Sequence, residues 1–104
     1  MNKIFDINKQ WSFIYPDLIP VIMDINPILN SEGKIEFSIP YGINGINFTF
    51  DSYNKKMKEI RATYYIADTA NKGNIVFKIT EKGKILQGTP DTFHGTKKWK
   101  IVQK

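Results

Sequence analysis

The residues best placed to do chemistry lie close together near the end of the chain, in the stretch GTPDTFHGTKKWK over positions 88–100. It holds the one histidine, His94, an aspartate three residues earlier, Asp91, and a group of lysines. A histidine with a carboxylate partner is the pairing of a general base and the group that orients it. The nucleophile for such a pair would come from Ser12, Ser31, Ser38 or Ser52, or from the nearby Thr92 or Thr96. None of them sits in the glycine-flanked setting of a nucleophile elbow. The same stretch invites a phosphate-loop reading, which requires glycine, four residues and then Gly-Lys-Ser/Thr between a strand and a helix. Here six residues separate Gly88 from Gly95, the order is Gly-Thr-Lys, and the residues after Thr96 have the pattern of a strand. Spacing, order and context all fail.

A loop histidine of this kind is expected to be a hydrogen-bonding or solvated residue. The stretch reads as a loop of about nine residues, with Phe93 at its tip as a candidate contact. The chain has no cysteine, which excludes disulfides, cysteine-based zinc sites and thiol catalysis. One histidine cannot build a histidine-rich metal centre, and the acids show no ligand spacing. The expectation is a protein without metal or cofactor, and not an enzyme. Asn47-Phe48-Thr49 matches the glycosylation sequon and is read as the solvent side of a strand.

The elements that would position these residues are strands. From residue 35 onward apolar side chains recur with period two. Ile35, Phe37 and Ile39 alternate with Glu36 and Ser38; Ile46, Phe48 and Phe50 alternate with Asn47, Thr49 and Asp51. Between them PYGING supplies the glycines and asparagine of a tight turn. Ile60, Ala62, Tyr64 and Ile66 then oppose Glu59, Arg61, Thr63 and Tyr65. DTANKG is expected to turn the chain, after which Ile75, Phe77 and Ile79 oppose Val76, Lys78 and Thr80. EKGK is a turn with Gly83 left-handed, and the last strand sets Trp99 and Ile101 against Lys98, Lys100 and Val102. Near the start, Trp11, Phe13 and Tyr15 alternate as a further strand.

Residues 16–29 are ambiguous. Pro16, Pro20 and Pro27 rule out one continuous helix, because an interior proline costs about 3 kcal/mol. A short helix near 17–25 and an extended VIMDI strand fit equally well. The fold expected is all-β: an antiparallel meander of about six to eight strands forming a small sandwich or barrel, with one short helix allowed in residues 16–29. At 104 residues the length suits a single domain over 1–104.

Charge is divided unevenly. Through residue 52 there are three lysines against six acidic residues; from residue 53 onward there are twelve basic residues against four acidic ones. The net charge of +5 therefore hides an acidic first half and a strongly basic second half. Such asymmetry points to a cationic face and an acidic macromolecular partner. If the alternation holds, Arg61, Lys78, Lys98 and Lys100 all oppose the aromatic-rich faces, and among aromatics Tyr65 alone shares their side. Four phosphate contacts would give a log–log salt slope of about −3 to −4, enough for weak nonspecific nucleic-acid binding. Tight single-strand binding also needs exposed stacking rings, and here Phe48, Phe50, Tyr64, Phe77 and Trp99 are assigned to the core. A protein partner is therefore expected ahead of nucleic acid, with a small apolar ligand as the third alternative.

The expected binding residues are Arg61, Lys78, Lys98, Lys100, Tyr65 and Phe93, with Tyr41 and Tyr53 as further anchor candidates in turns or on the polar face. The segment Leu18–Leu29 is a homodimer surface if it does not pack into the core. No apolar run approaches a membrane span, and MNKIFDINKQ lacks a secretory core, so a cytoplasmic, membrane-free protein is expected. Small cofactor-free modules of this size include inhibitors, immunity proteins and phage anti-defence factors, an analogy of composition rather than of site.

Overall fold

The period-two pattern becomes nine strands in the computed structural model, which describes residues 5–91 and 97–104. They are β1 (Trp11–Tyr15), β2 (Val21–Ile25), β3 (Ile28–Leu29), β4 (Ile35–Ile39), β5 (Ile46–Asn54), β6 (Glu59–Ile66), β7 (Asn71–Thr80), β8 (Ile85–Gly88) and β9 (Trp99–Gln103). All belong to one sheet in the order β2-β1-β9-β8-β7-β6-β5-β4-β3, and every neighbouring pair is antiparallel. From β3 to β9 chain neighbours are spatial neighbours, and β1 pairs with β9. The expected meander is therefore present, curled into a barrel-like form.

Residues 16–29 take the extended alternative. No helix forms there: Pro16 and Pro20 bracket a hairpin connection into β2, and proline fits at a strand's start because it needs no donor. The run Val21–Leu29 is interrupted at Asn26-Pro27 and changes partners at that point. β2 pairs with β1, whereas β3 pairs with β4, its Ile28 opposite Glu36 and its Leu29 opposite Ile35. One stretch of chain thus supplies both edges of the sheet. This curls the sheet until β2 lies within 8 Å of β4 without any ladder pairs between them.

The inward faces carry the apolar set read from the alternation. Phe13, Phe37, Phe48, Phe50, Tyr64, Phe77, Trp99 and Ile101 are buried, joined by Phe5 and Trp11 at one end. Trp99 is the hub: its ring lies 5.7 Å from Phe13, 5.6 Å from Phe48 and 5.4 Å from Tyr64, each edge-on. Edge-to-face packing aligns positive ring edges with negative faces. Phe37 stacks on Phe48 at 4.9 Å, and Phe5 on Trp11 at 4.1 Å. Full burial of such side chains contributes about 1.5–3 kcal/mol each. Gly88 sits opposite Trp99, and a β-carbon there would run into the carbonyl oxygen of Val76. The glycine lets β7 and β8 pass closely beside the large indole.

Two local readings need correction. DTANKG does not turn over its whole length: the turn occupies 67–70, with Ala70 left-handed at φ 55°, and Asn71, Lys72 and Gly73 already belong to β7. Tyr53 does not lie in a turn or on a polar face. A bulge between Phe50 and Ser52 inserts one extra residue, which inverts the parity beyond it and turns Tyr53 inward against the core, opposite Ile60.

Candidate functional site

Four of the expected cations project outward from neighbouring strands. Arg61 on β6, Lys78 on β7 and Lys98 and Lys100 at β9 are all exposed. Register places them. Lys100 is opposite Gln87, and Gln87 is opposite Lys78, so the two lysines stand on either side of β8, about 10 Å between backbones. Lys98 is two residues from Lys100 on the same face. Arg61 is opposite Val76, one outward position from Lys78. Lys78 Nζ lies 3.5 Å from Glu59 on the adjacent strand; among the described residues no carboxylate is within ion-pair distance of Arg61, Lys98 or Lys100. The outward lysines form a wall with little neutralisation, because the meander keeps the basic half of the sequence together in space.

Tyr65 shares the outer face but not the cluster. It lies four residues from Arg61, about 13 Å along the strand. It faces Lys72, whose ammonium is 6.0 Å from the ring centroid. This is a cation–π contact of its own. Tyr41, expected as an exposed anchor, is half-buried with its ring 6.2 Å from Tyr15, where both pack against the core.

Phe93 and His94 lie outside the described residues, as do Thr92 and Thr96. Asp91 is described. Its Oδ1 accepts hydrogen bonds from the Tyr64 hydroxyl at 3.2 Å and from the Asn74 backbone N–H at 3.0 Å, while its own N–H donates to the Asn74 carbonyl. Together with the bridge between Pro90 and Ile75, these bonds fasten the chain after β8 onto β7. Among the described residues no three acidic or histidine side chains converge as metal ligands, and no helix is long and apolar enough to cross a membrane.

The opposite side of the barrel has a different character. In the segment Leu18–Leu29, Met23 and Ile25 turn inward, but Leu18 and Ile19 are 97% and 83% exposed, and Val21, Ile22, Ile28 and Leu29 are exposed as well. Ile43, in the turn between β4 and β5, is 92% exposed. Between β2 and β4 a groove of about 440 Å³ opens, lined by Asp24, Asn26, Ile28, Glu36, Phe37, Ser38 and Asn47. Sequence reasoning does not find this groove. The available signal is Asn26-Pro27, which breaks an otherwise extended apolar run and so marks where a strand must change partners.

Among the described residues, Asp24, Asp68 and Tyr15 are shifted from their ordinary values. Asp24 lies below the usual carboxylate value, chiefly because the Lys104 ammonium binds it at 2.5 Å. Asp68 is also lowered, first by the Ile43 N–H at 2.7 Å and further by the Asn44 side chain and N–H. These bonds clip the β4–β5 turn to the β6–β7 turn. Tyr15 is pushed up to about 12 by burial, then by neighbouring Tyr41 and Asp17.

The described surface thus presents a cationic wall on β6–β9 and unpaired strand edges at the β2–β4 seam. No known family model, curated protein or solved structure matches the chain.

Proposed function

We propose that the chain is a non-enzymatic binding module whose outer β6–β9 face meets an acidic protein. The observation that carries this reading is the orientation of side chains on that wall. Arg61, Lys78, Lys98 and Lys100 point out, while the rings of Tyr64, Phe77 and Trp99 on the same strands point in. Cations without stacking rings favour a protein partner over single-stranded nucleic acid, which draws about 1–3 kcal/mol from each stacked base. Outward charges of this kind raise the association rate and set specificity more than they raise affinity. An inhibitor, immunity or anti-defence role suits a small module that acts by occupying another protein.

The test is fluorescence anisotropy at 50 and 200 mM salt with labelled polyglutamate and with single- and double-stranded oligonucleotides of matched charge. The expected result is salt-sensitive binding of polyglutamate that the oligonucleotides do not exceed, lost in the double variant Lys98→Glu, Lys100→Glu. Oligonucleotide binding far tighter than polyglutamate binding moves the assignment to nucleic acid. An unchanged affinity and salt slope in the double variant removes the wall as the site.

A further inference from the structure

The outer face of the wall continues past β9 onto β1 and β2, two strands that carry no lysine. Register sets six outward residues in one row across six strands: Ile22 on β2, Ile14 on β1, Lys100 on β9, Gln87 on β8, Lys78 on β7 and Glu59 on β6. A second row, two residues further along the strands, holds Ser12, Val102, Ile85 and Thr80.

Four of these outward side chains are large and apolar. Phe13, Ile101 and Leu86 are fully buried, which sends their chain neighbours Ile14, Val102 and Ile85 to the outer face. Those three are half-buried, and Ile22 is 67% exposed. Side chains directly opposite each other on paired strands are about 5 Å apart, and diagonal neighbours about 7–8 Å. Ile22, Ile14, Val102 and Ile85 therefore form one patch, with Lys100 set into its border. The tyrosines expected as anchors do not fill this role: Tyr41 and Tyr53 pack against the core, and Tyr65 stands away from the lysines.

Charge selects the occupant. Among the described residues no carboxylate is within ion-pair distance of Lys98 or Lys100. The one acid on β1, β2, β8 or β9 is Asp24. It is already held by the Lys104 ammonium at 2.5 Å and accepts a hydrogen bond from the Ser12 hydroxyl at 3.3 Å. A two-fold dimer through the patch would bring two Lys100 side chains together in a desolvated interface. An anionic lipid surface would meet the Asp17 carboxylate beside the exposed Leu18 and Ile19 of the β1–β2 hairpin.

We propose that the patch of Ile14, Ile22, Val102 and Ile85 is the apolar anchor of the binding face, and that it receives an acidic amphipathic segment of a partner protein. Apolar side chains of that segment cover the patch, and its carboxylates meet Lys98 and Lys100. The assignment rests on the wall being a site for an acidic protein, and it adds what the lysines do not supply. Exposed charges speed association, whereas a few desolvated contacts carry most of the binding energy.

The probes are three labelled peptides read by anisotropy at 50 and 200 mM salt: polyglutamate, a glutamate–leucine peptide with the same number of carboxylates and leucine at helical spacing, and its lysine–leucine counterpart. The expected result is that the glutamate–leucine peptide binds at least tenfold tighter than either of the others. The double variant Ile14→Thr, Ile22→Thr keeps β-branched side chains on both strands. It should remove that gain and leave polyglutamate binding unchanged. Ile22→Thr alone, at the most exposed of the four positions, should remove part of the gain with unchanged thermal unfolding. Polyglutamate binding that leucine does not improve, a gain that survives in the double variant, or equal binding of the lysine–leucine peptide overturns the anchor and leaves the wall as an acidic-protein site. No binding of either acidic peptide removes the wall reading and the anchor with it. Two further outcomes overturn the anchor: phosphatidylserine vesicles that bind the protein but not the double variant assign the patch to lipid, and a dimer in sedimentation equilibrium that the double variant dissociates assigns it to a second copy.

Discussion

The β6–β9 wall and the β2–β4 seam are built from the same alternation of apolar and polar residues, yet they are finished differently. In the wall β6 and β7 run eight and ten residues, and β6 is paired along both edges for its full length. At the seam β2 and β4 have five residues each, β3 has two, and the facing edges are open. The wall is cationic outside; the seam is acidic and edged by exposed isoleucines. Alternation alone is thus enough to build a core, but not to close a sheet. Closure depends on one stretch of chain, Val21–Leu29, changing partners at a proline.

The largest expected effect tests whether the two regions stand or fall together. Trp99 touches Phe13 on the seam side as well as Phe48 and Tyr64 toward the wall. Trp99→Ala should cost about 3–5 kcal/mol, seen in urea denaturation as one cooperative transition at lower denaturant. Two separate transitions would mean that wall and seam unfold independently. Gly88→Ala comes next. The added methyl meets the Val76 backbone rather than a movable side chain, so the loss should be about 1–3 kcal/mol by the same measurement. A smaller loss would place slack in the β7–β8 pairing that the geometry does not provide.

Titration sharpens the comparison at the turns that join the two regions. Asp68 is lowered on folding, so its contribution is present above the ordinary aspartate value of 3.8 and is lost as pH falls through the lower folded value. Asp68→Asn should flatten the acid limb of a stability–pH curve measured by denaturant midpoint. Tyr15 is raised, so its contribution is complete below the ordinary value of 10.0 and is lost as pH rises from there toward about 12. Tyr15→Phe should remove that part of the alkaline limb and leave the acid limb unchanged. The smallest effect belongs to the wall's surface. Lys78 is well exposed in its pair with Glu59, and Lys78→Ala should change stability by less than about 1 kcal/mol while reducing the salt dependence of polyglutamate binding. A larger stability loss would make Lys78 a structural residue rather than part of a binding face.

Most of the fold is legible in the sequence because burial on one face of a strand writes itself directly into alternate positions. Parity alone assigns Phe37, Phe48, Phe77 and Trp99 to the core, and they are there. Parity misplaces Tyr53 for the same reason: it is counted residue by residue, and the bulge after Phe50 adds one residue that leaves no mark in the pattern. The β6–β7 turn is shorter than its composition suggests because Ala70 takes a left-handed conformation more often left to glycine or asparagine. The outward placement of Arg61, Lys78, Lys98 and Lys100 is readable in the sequence, but their closeness is not. It depends on Lys100, Gln87 and Lys78 falling in one row across three strands, and the same registers leave Tyr65 outside that cluster.

The sequence by itself determined that this chain forms antiparallel strands, which side chains face the core, and that its basic residues gather in the second half. Those are local properties, set by period-two burial, turn residues and composition. Only the tertiary structure decided that the charge division in sequence is also a division in space. A meander keeps chain neighbours adjacent, and pairing of β1 with β9 brings the ends together, so the two halves of the sequence become two sides of one barrel. It also decided where that barrel stays open. A proline removes one donor wherever it stands, but whether that break falls inside a ladder or at its closing seam depends on pairings made far along the chain.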